Sequence, residues 1–267
     1  MLDRRLRGVL ARAGIGIVRA TPERDIARTL NALWPVQTNL NLIRIGSPHD
    51  GGYVLADDLV GISDLFSPGV QDNWRFEEEF VALTQARPHL LDCNGAPEGI
   101  PFEVRKAFLG GFTDKGQLGI NEWIQSCTPS PHSEWILQMD IEGSEFEAIA
   151  GLDEDLLSRF RGVIIELHRL DLLSDAGWHQ FVFLPFLRKM LDKFVPVHLH
   201  PNNAAPSINV HGYRIPRLLE ITFWRKDRVE TFNGKPTLPI QLDAKNMPDK
   251  PDIDLDWRFA GSAVGSK

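Results

Sequence analysis

The chain has 267 residues, 43% of them hydrophobic and 24% charged, with a formal net charge of −7. The length suits one sizeable α/β domain, or a domain with appendages, and the composition is that of an ordinary globular protein. No apolar run approaches the roughly 18 residues of a membrane span, and the acidic balance argues against a nucleic-acid partner, because phosphate binding favours a basic surface. Two cysteines, Cys93 and Cys127, are too few for a disulfide framework or a cysteine-ligated zinc site, and they suit a reducing cytoplasm.

Residues 1–40 read as a helical extension, with seven arginines against three acids before Leu30. Arg12 and Arg19 interrupt its apolar part, so a secretory leader is not expected. An amphipathic helix here either packs on the domain or on a second copy of the chain, or lies on a membrane surface. Gly14-Ile15-Gly16 begins like a dinucleotide fingerprint, but Arg19 stands where the third glycine belongs and no strand precedes it.

Residues 41–227 carry the alternating pattern of a domain. Leu42–Ala56 holds two apolar runs around a Pro/Asp/Gly turn, a hairpin signal. At its tip, Asp50, Gly51, Gly52 and Tyr53 serve either turn chemistry or close backbone approach to a ligand. Ile62–Phe66 is a strand running into Ser67-Pro68-Gly69-Val70, and residues 73–86 have helical spacing. Strand, glycine turn and helix present backbone amides to a ligand. His89–Cys93 is the next strand. It ends in Asp92, 23 residues past Gly69, where an α/β nucleotide-binding unit places its ribose-binding carboxylate. Val104–Phe112 reads as a third strand and Asn121–Ser126 as a short helix.

Trp135–Glu147, WILQMDIEGSEFE, reads as a buried strand, a turn and a helix start. Ser144-x-x-Glu147 has the form of a capping box. Asp140 and Glu142 then stand at the carboxyl end of the strand, where open α/β sheets bind ligands. Gly162–His168 is a strand buried on both faces, ending in Glu166 and His168. Trp178–Phe194 is helical by spacing, with Pro185 marking a kink or the true first turn. Val195–His200 and Leu218–Arg225 complete about seven strands. Alternating strands and helices imply a mostly parallel sheet covered on both faces. From residue 228 the composition shifts to Pro, Asp and Lys, a tail that wraps the surface or lacks fixed structure.

Asp92, Asp140, Glu142 and Glu166 thus gather at strand ends, and so many carboxylates need cations, donors or a ligand to offset their repulsion. Asp92 suits a ribose. Asp140 with Glu166 and His168 suits a divalent metal such as Mg²⁺. The whole edge suits a cationic cofactor. His168 is either a hydrogen-bonded structural residue or, near Asp140, a general base. His198, His200, Asn202 and Asn203 bind metal, orient a substrate or cap a turn. The chain lacks a GxxxxGK[ST] phosphate loop, a GxSxG nucleophile elbow and an HExxH zinc helix.

Met139–Ile149, MDIEGSEFEAI, resembles the signature of the FkbM-type methyltransferases, a branch of the class I S-adenosylmethionine-dependent enzymes. The segments IRIGSPHDGGYVLADD, SPGVQDNWRFEEEF, LLDCNG, VIIELH, HLHPNN and IPRLLEITFWRKD follow the family's order between Leu42 and Asp227. The resemblance implies a Rossmann-like, seven-stranded sheet with one antiparallel strand. It also implies methyl transfer to a hydroxyl of a sugar, glycan or glycosylated metabolite. By that analogy Asp50, Gly52, Tyr53, Ser67, Gly69, Val70, Asp92, Cys93, Asp140, Ile141 and Glu142 form the cofactor-binding set. From the residues themselves, His168, Asp140 and Glu166 are the candidate catalytic and metal set: His168, or a metal held by Asp140 and Glu166, is expected to deprotonate or polarise the acceptor. The glycine-rich turn usual in class I enzymes is thinned here to Ser67-Pro68-Gly69-Val70. A methyltransferase fold that binds without chemistry is the alternative; a nicotinamide-dependent oxidoreductase lacks its GxGxxG turn.

Overall fold

The structure is a computed structural model, which describes residues 18–129 and 133–257. Most of the arginine-rich extension, including Gly14-Ile15-Gly16, lies outside those residues. Seven strands form one sheet: β1 (Ile62–Pro68), β2 (Arg87–Asp92), β3 (Val104–Lys106), β4 (Glu134–Met139), β5 (Phe160–Leu167), β6 (Phe194–Pro201) and β7 (Leu219–Arg225). Their spatial order is β6-β7-β5-β4-β1-β2-β3. From β5 to β3 every pairing is parallel, whereas β7 runs antiparallel to both β5 and β6. The fold is the α/β, Rossmann-like sheet that the sequence implied, with its last strand reversed.

The central strands are mostly apolar because both faces are covered. β5 is buried along its whole length. Its Val163 and Ile165 join Leu137 and Met139 of β4 on one face, while Ile164 and Ile136 point to the other. The first face packs against α1 (Glu23–Leu33), α3 (Ile120–Ser126), α4 (Glu145–Gly151) and α5 (Leu184–Lys193) through Leu30, Trp123, Phe146 and Phe186. The second is covered by α2 (Arg75–Thr84), through Phe76 and Phe80, and by the hairpin pairing Leu42–Gly46 with Gly52–Ala56. With period-2 alternation, a one-residue slip in β4 would exchange its two packed faces, so burial fixes the register.

Three expectations are revised. The third strand stops at Lys106, and the Ala107 amide makes one more bond to β2, donating to the Asp92 carbonyl at 3.1 Å; Leu109–Gly110 pairs instead with Leu118–Gly119. The Trp178–Phe194 helix is interrupted by a π-helical turn, His179–Phe183, and Pro185 sits in the first turn of the α-helix that follows. Residues 229–257 do more than wrap the surface, since Asn246 and Trp257 are buried.

Candidate active site

The carboxyl ends of β1, β2 and β4 meet at Gly69. Its φ of +91° belongs to the left-handed region, and a Cβ there would fall 1.6 Å from the Asp140 carbonyl oxygen. Only glycine lets the β1 turn pass so close to β4. The Gly69 amide donates to the Leu91 carbonyl at 2.8 Å, and the Asp140 amide to the Pro68 carbonyl at 3.2 Å. Together these hold the three strand ends in fixed relation.

A cavity of about 620 Å³ opens at this junction, within the range of small-ligand sites. Gly69, Asp92, Cys93, Asp140, Ile141 and Glu142 line it, as do Gln71, Asp72, Phe108 and Leu109. Asp92 is buried, and its oxygens accept from the Asn94 amide at 2.7 Å and the Gln71 amide at 3.0 Å. A carboxylate has about four acceptor positions, so both oxygens retain capacity for ligand hydroxyls. The other residues of the cofactor set stand away from the lining. Ser67 is buried with its hydroxyl on Glu77 (2.5 Å) and Gln138 (2.6 Å). Val70 and Tyr53 are core residues, and Asp50 and Gly52 belong to the hairpin behind.

Beyond Asp140 the structure gathers His168, Glu166, Glu142 and a residue the sequence reading passed over, Glu145. His168 Nδ1 lies 2.9 Å from Glu145 Oε1, and its Nε2 lies 3.3 Å from Glu142, 3.7 Å from Asp140 and 3.9 Å from Glu166. Ser144 is the N-cap of α4, as read, but its side chain makes no capping bond. The Glu145 carboxylate instead braces the turn ahead of the helix, accepting from the amides of Ile141 at 3.1 Å and Gly143 at 3.0 Å. The turn needs this support because Glu142 (φ +58°) and Gly143 (φ +112°) are both left-handed. It brings Glu142 around to His168.

The cluster continues behind β5. Glu166 and Glu220 are cross-strand neighbours of β5 and β7. Asn202 donates to both Glu166 oxygens, at 3.1 and 3.2 Å, while its own Oδ1 accepts from the Ala204 amide. Asn202 therefore caps its turn and serves the cluster at once. Asn246, from the tail, donates to Glu220 at 2.6 Å and to Asp50 at 3.0 Å. His198 and His200 lie apart from the cavity and pair with tail residues, Asp243 at 2.7 Å and Asp252 at 3.4 Å.

Protonation follows from this crowding. Burial raises the Asp140 carboxyl well above the carboxylate range, reinforced by Glu166. Burial and Glu220 push Glu166 up to about 8, and burial holds Glu220 at about 8. Burial works against charge on His168, but its bond to Glu145 and the charges of Glu145, Glu166 and Asp140 prevail, lifting it to about 9. The group shares protons among acids and one imidazole.

The opposite end of the sheet is built differently. There Glu134 is paired with Arg161 and Arg225, Asp58 with Arg161 and Arg228, and Asp64 with Arg87. Among the described residues no lysine or arginine makes an ion pair with Asp140, Glu142, Glu145 or Glu166; their one cationic neighbour is His168. Ligand atoms of Asp140, Glu142 and His168 also lie within 4.8 Å of one another, a spacing that suits a divalent cation. Glu166 is engaged by Asn202 and stands outside that trio.

Residues 131–198 match the family model for the methyltransferase FkbM domain. The resemblance read from Met139–Ile149 is thus shown across β4, α4, β5 and most of β6. The FkbM stretch contains Asp140, Glu142, Glu145, Glu166 and His168; Gly69 and Asp92, on the other side of the cavity, lie outside it. The matched segment supplies the acidic half of the site. No curated protein matches the chain. No helix among the described residues is long and apolar enough to cross a membrane.

Proposed function

We propose that the protein is an S-adenosylmethionine-dependent O-methyltransferase acting on a hydroxyl of a sugar, glycan or glycosylated metabolite. The observation that carries this reading is the uncompensated acidity of an open cavity. Asp140 lines it with a buried Oδ1 that has no hydrogen-bond partner, in a cluster where among the described residues no arginine pairs with Asp140, Glu142, Glu145 or Glu166. A cationic ligand would relieve this repulsion and a neutral or anionic one would not. S-adenosylmethionine supplies a methyl group on a positively charged sulfur, and its ribose hydroxyls suit the remaining acceptor positions of Asp92.

His168 is the base in this reading. Nε2 faces Glu142 and Asp140, two residues of the cavity lining, and in the unprotonated ring, whose share grows as pH rises toward 9, it would take the acceptor's proton as the new bond to oxygen forms. The residues of the chain align the acceptor oxygen and exclude water; alignment alone is worth several kcal/mol of barrier. Carboxylates around the mouth accept from several hydroxyls at once, which favours a polyhydroxylated acceptor. A second reading rests on the same trio: Asp140, Glu142 and His168 would hold a divalent cation, which would supply Lewis acidity to the acceptor oxygen.

The test is transfer of label from methyl-labelled S-adenosylmethionine to a panel of mono- and oligosaccharides and glycosides, with and without EDTA. Label on a hydroxyl supports the reading, and loss of transfer in EDTA selects the metal version. S-adenosylmethionine binding with label on nitrogen or carbon would overturn the assignment to oxygen.

A further inference from the structure

We propose that Glu145 is the positioning residue that fixes which ring nitrogen of neutral His168 carries the proton, an inference that rests on His168 acting as the base. Nδ1 is surrounded by acceptors alone: Glu145 Oε1 at 2.9 Å and the Glu166 carbonyl oxygen at 3.3 Å. An unprotonated Nδ1 would set its lone pair against both, whereas the carboxylate oxygens nearest Nε2, at 3.3 Å or more, make no hydrogen bond with it, so in the neutral ring the proton resides on Nδ1. The lone pair is then on Nε2, which points toward Glu142 and Asp140. The opposite tautomer would present an N–H to the acceptor and could not accept its proton.

Glu145 is suited to this task because it cannot move. Its side chain is fully buried, and the oxygen that receives His168 also receives the amides of Ile141 and Gly143. One atom therefore couples the β4–α4 turn, and with it Asp140 and Glu142, to the orientation of the imidazole. Its second oxygen is buried without a hydrogen-bond partner among the described residues. An ordinary turn cap would gain by hydrogen-bonding that oxygen or exposing it to water. Glu145 thus keeps an uncompensated oxygen in the interior while holding both the turn and the ring, as expected of a residue retained for the site.

The test reads the ring itself. The full chain, ¹⁵N-labelled at histidine, is followed by NMR through the neutral limb of the His168 titration, for the wild type, Glu145→Gln and Glu145→Leu. His168→Gln assigns the signal. The wild type is expected to hold the Nδ1–H form by at least about tenfold, given roughly 1 kcal/mol or more per hydrogen bond. Glu145→Gln keeps an oxygen at the same place and is expected to preserve that form. Glu145→Leu removes it and should release the ring to the Nε2–H form that free imidazole side chains prefer. A purely structural glutamate would disturb folding without this change of tautomer. Should Glu145→Leu fail to fold, the wild type and Glu145→Gln decide. The Nε2–H form dominating in either one, or Nδ1–H persisting in Glu145→Leu, would overturn the proposal. No cofactor or acceptor enters this measurement, so it fails separately from the label-transfer test.

Discussion

Gly69 and Asp140 come together so closely that a Cβ on the first would overlap the carbonyl oxygen of the second, at 1.6 Å. The approach joins the turn after β1 to the end of β4, and so joins the Asp92 half of the cavity to the acidic half. Gly69→Ala must relieve both a left-handed φ, costing about 1–2 kcal/mol, and the overlap. The expected result is a melting temperature lower by at least about 4 °C and weaker S-adenosylmethionine binding, read by thermal unfolding and calorimetry. An unchanged melting temperature would show that the turn relaxes freely.

Asp92 is held by two backbone amides with acceptor capacity left over. Replacing Asp92 with alanine should weaken S-adenosylmethionine by about 10–100-fold, the worth of hydrogen bonds to a charged group. It should weaken S-adenosylhomocysteine equally, because both carry the ribose. Unequal losses would place Asp92 at another part of the ligand.

His168→Ala should reduce methyl transfer by about two to four orders of magnitude while cofactor affinity stays near wild type. Turnover close to wild type in that variant would remove the base from the account.

Two buried acids give opposite pH signatures. Asp64 is drawn down to about 2: burial opposes its charge, but bonds from His89, Ser63 and Arg87 prevail. Its folded value lies below the unfolded one, so its contribution is present above about pH 4 and lost as pH falls toward 2. Glu77 is pushed up to about 7, chiefly by burial. It favours the folded state when protonated, and that contribution is lost as pH rises from about 4.5 to 7. Asp64→Asn should therefore lower denaturant stability at neutral pH, and Glu77→Gln should raise it above pH 7. A Glu77→Gln variant no more stable than wild type at pH 8 would contradict the buried-acid assignment.

The sheet was legible because buried strands write themselves as apolar runs, as in Gly162–Leu167, and because Gly69 and Asp92 fall at strand ends. Asp140, Glu142, Glu166 and His168 were legible as a group for the same reason. Glu145 was not. In SEFE two glutamates stand two places apart, and only the left-handed turn at Glu142 and Gly143 decides that the first turns inward. Glu220 lies inside the apolar run of β7, and Asn246 comes from a Pro/Asp/Lys-rich tail that carries no periodic signal. Their meeting with Asp50 is a product of tertiary packing. The hairpin tip was ambiguous from the start, and in the structure Gly52 and Tyr53 support the second face of the sheet while Asp50 binds the tail.

The most direct measurement is calorimetric titration of the full chain with S-adenosylmethionine and S-adenosylhomocysteine, in the wild type and in Asp140→Asn. A cation-binding cavity predicts one site for each ligand. It also predicts that Asp140→Asn weakens the sulfonium more than the neutral thioether, since only the former carries the charge that Asp140 faces. Absence of heat with both ligands in the wild-type protein, or equal loss for both in the variant, would contradict it.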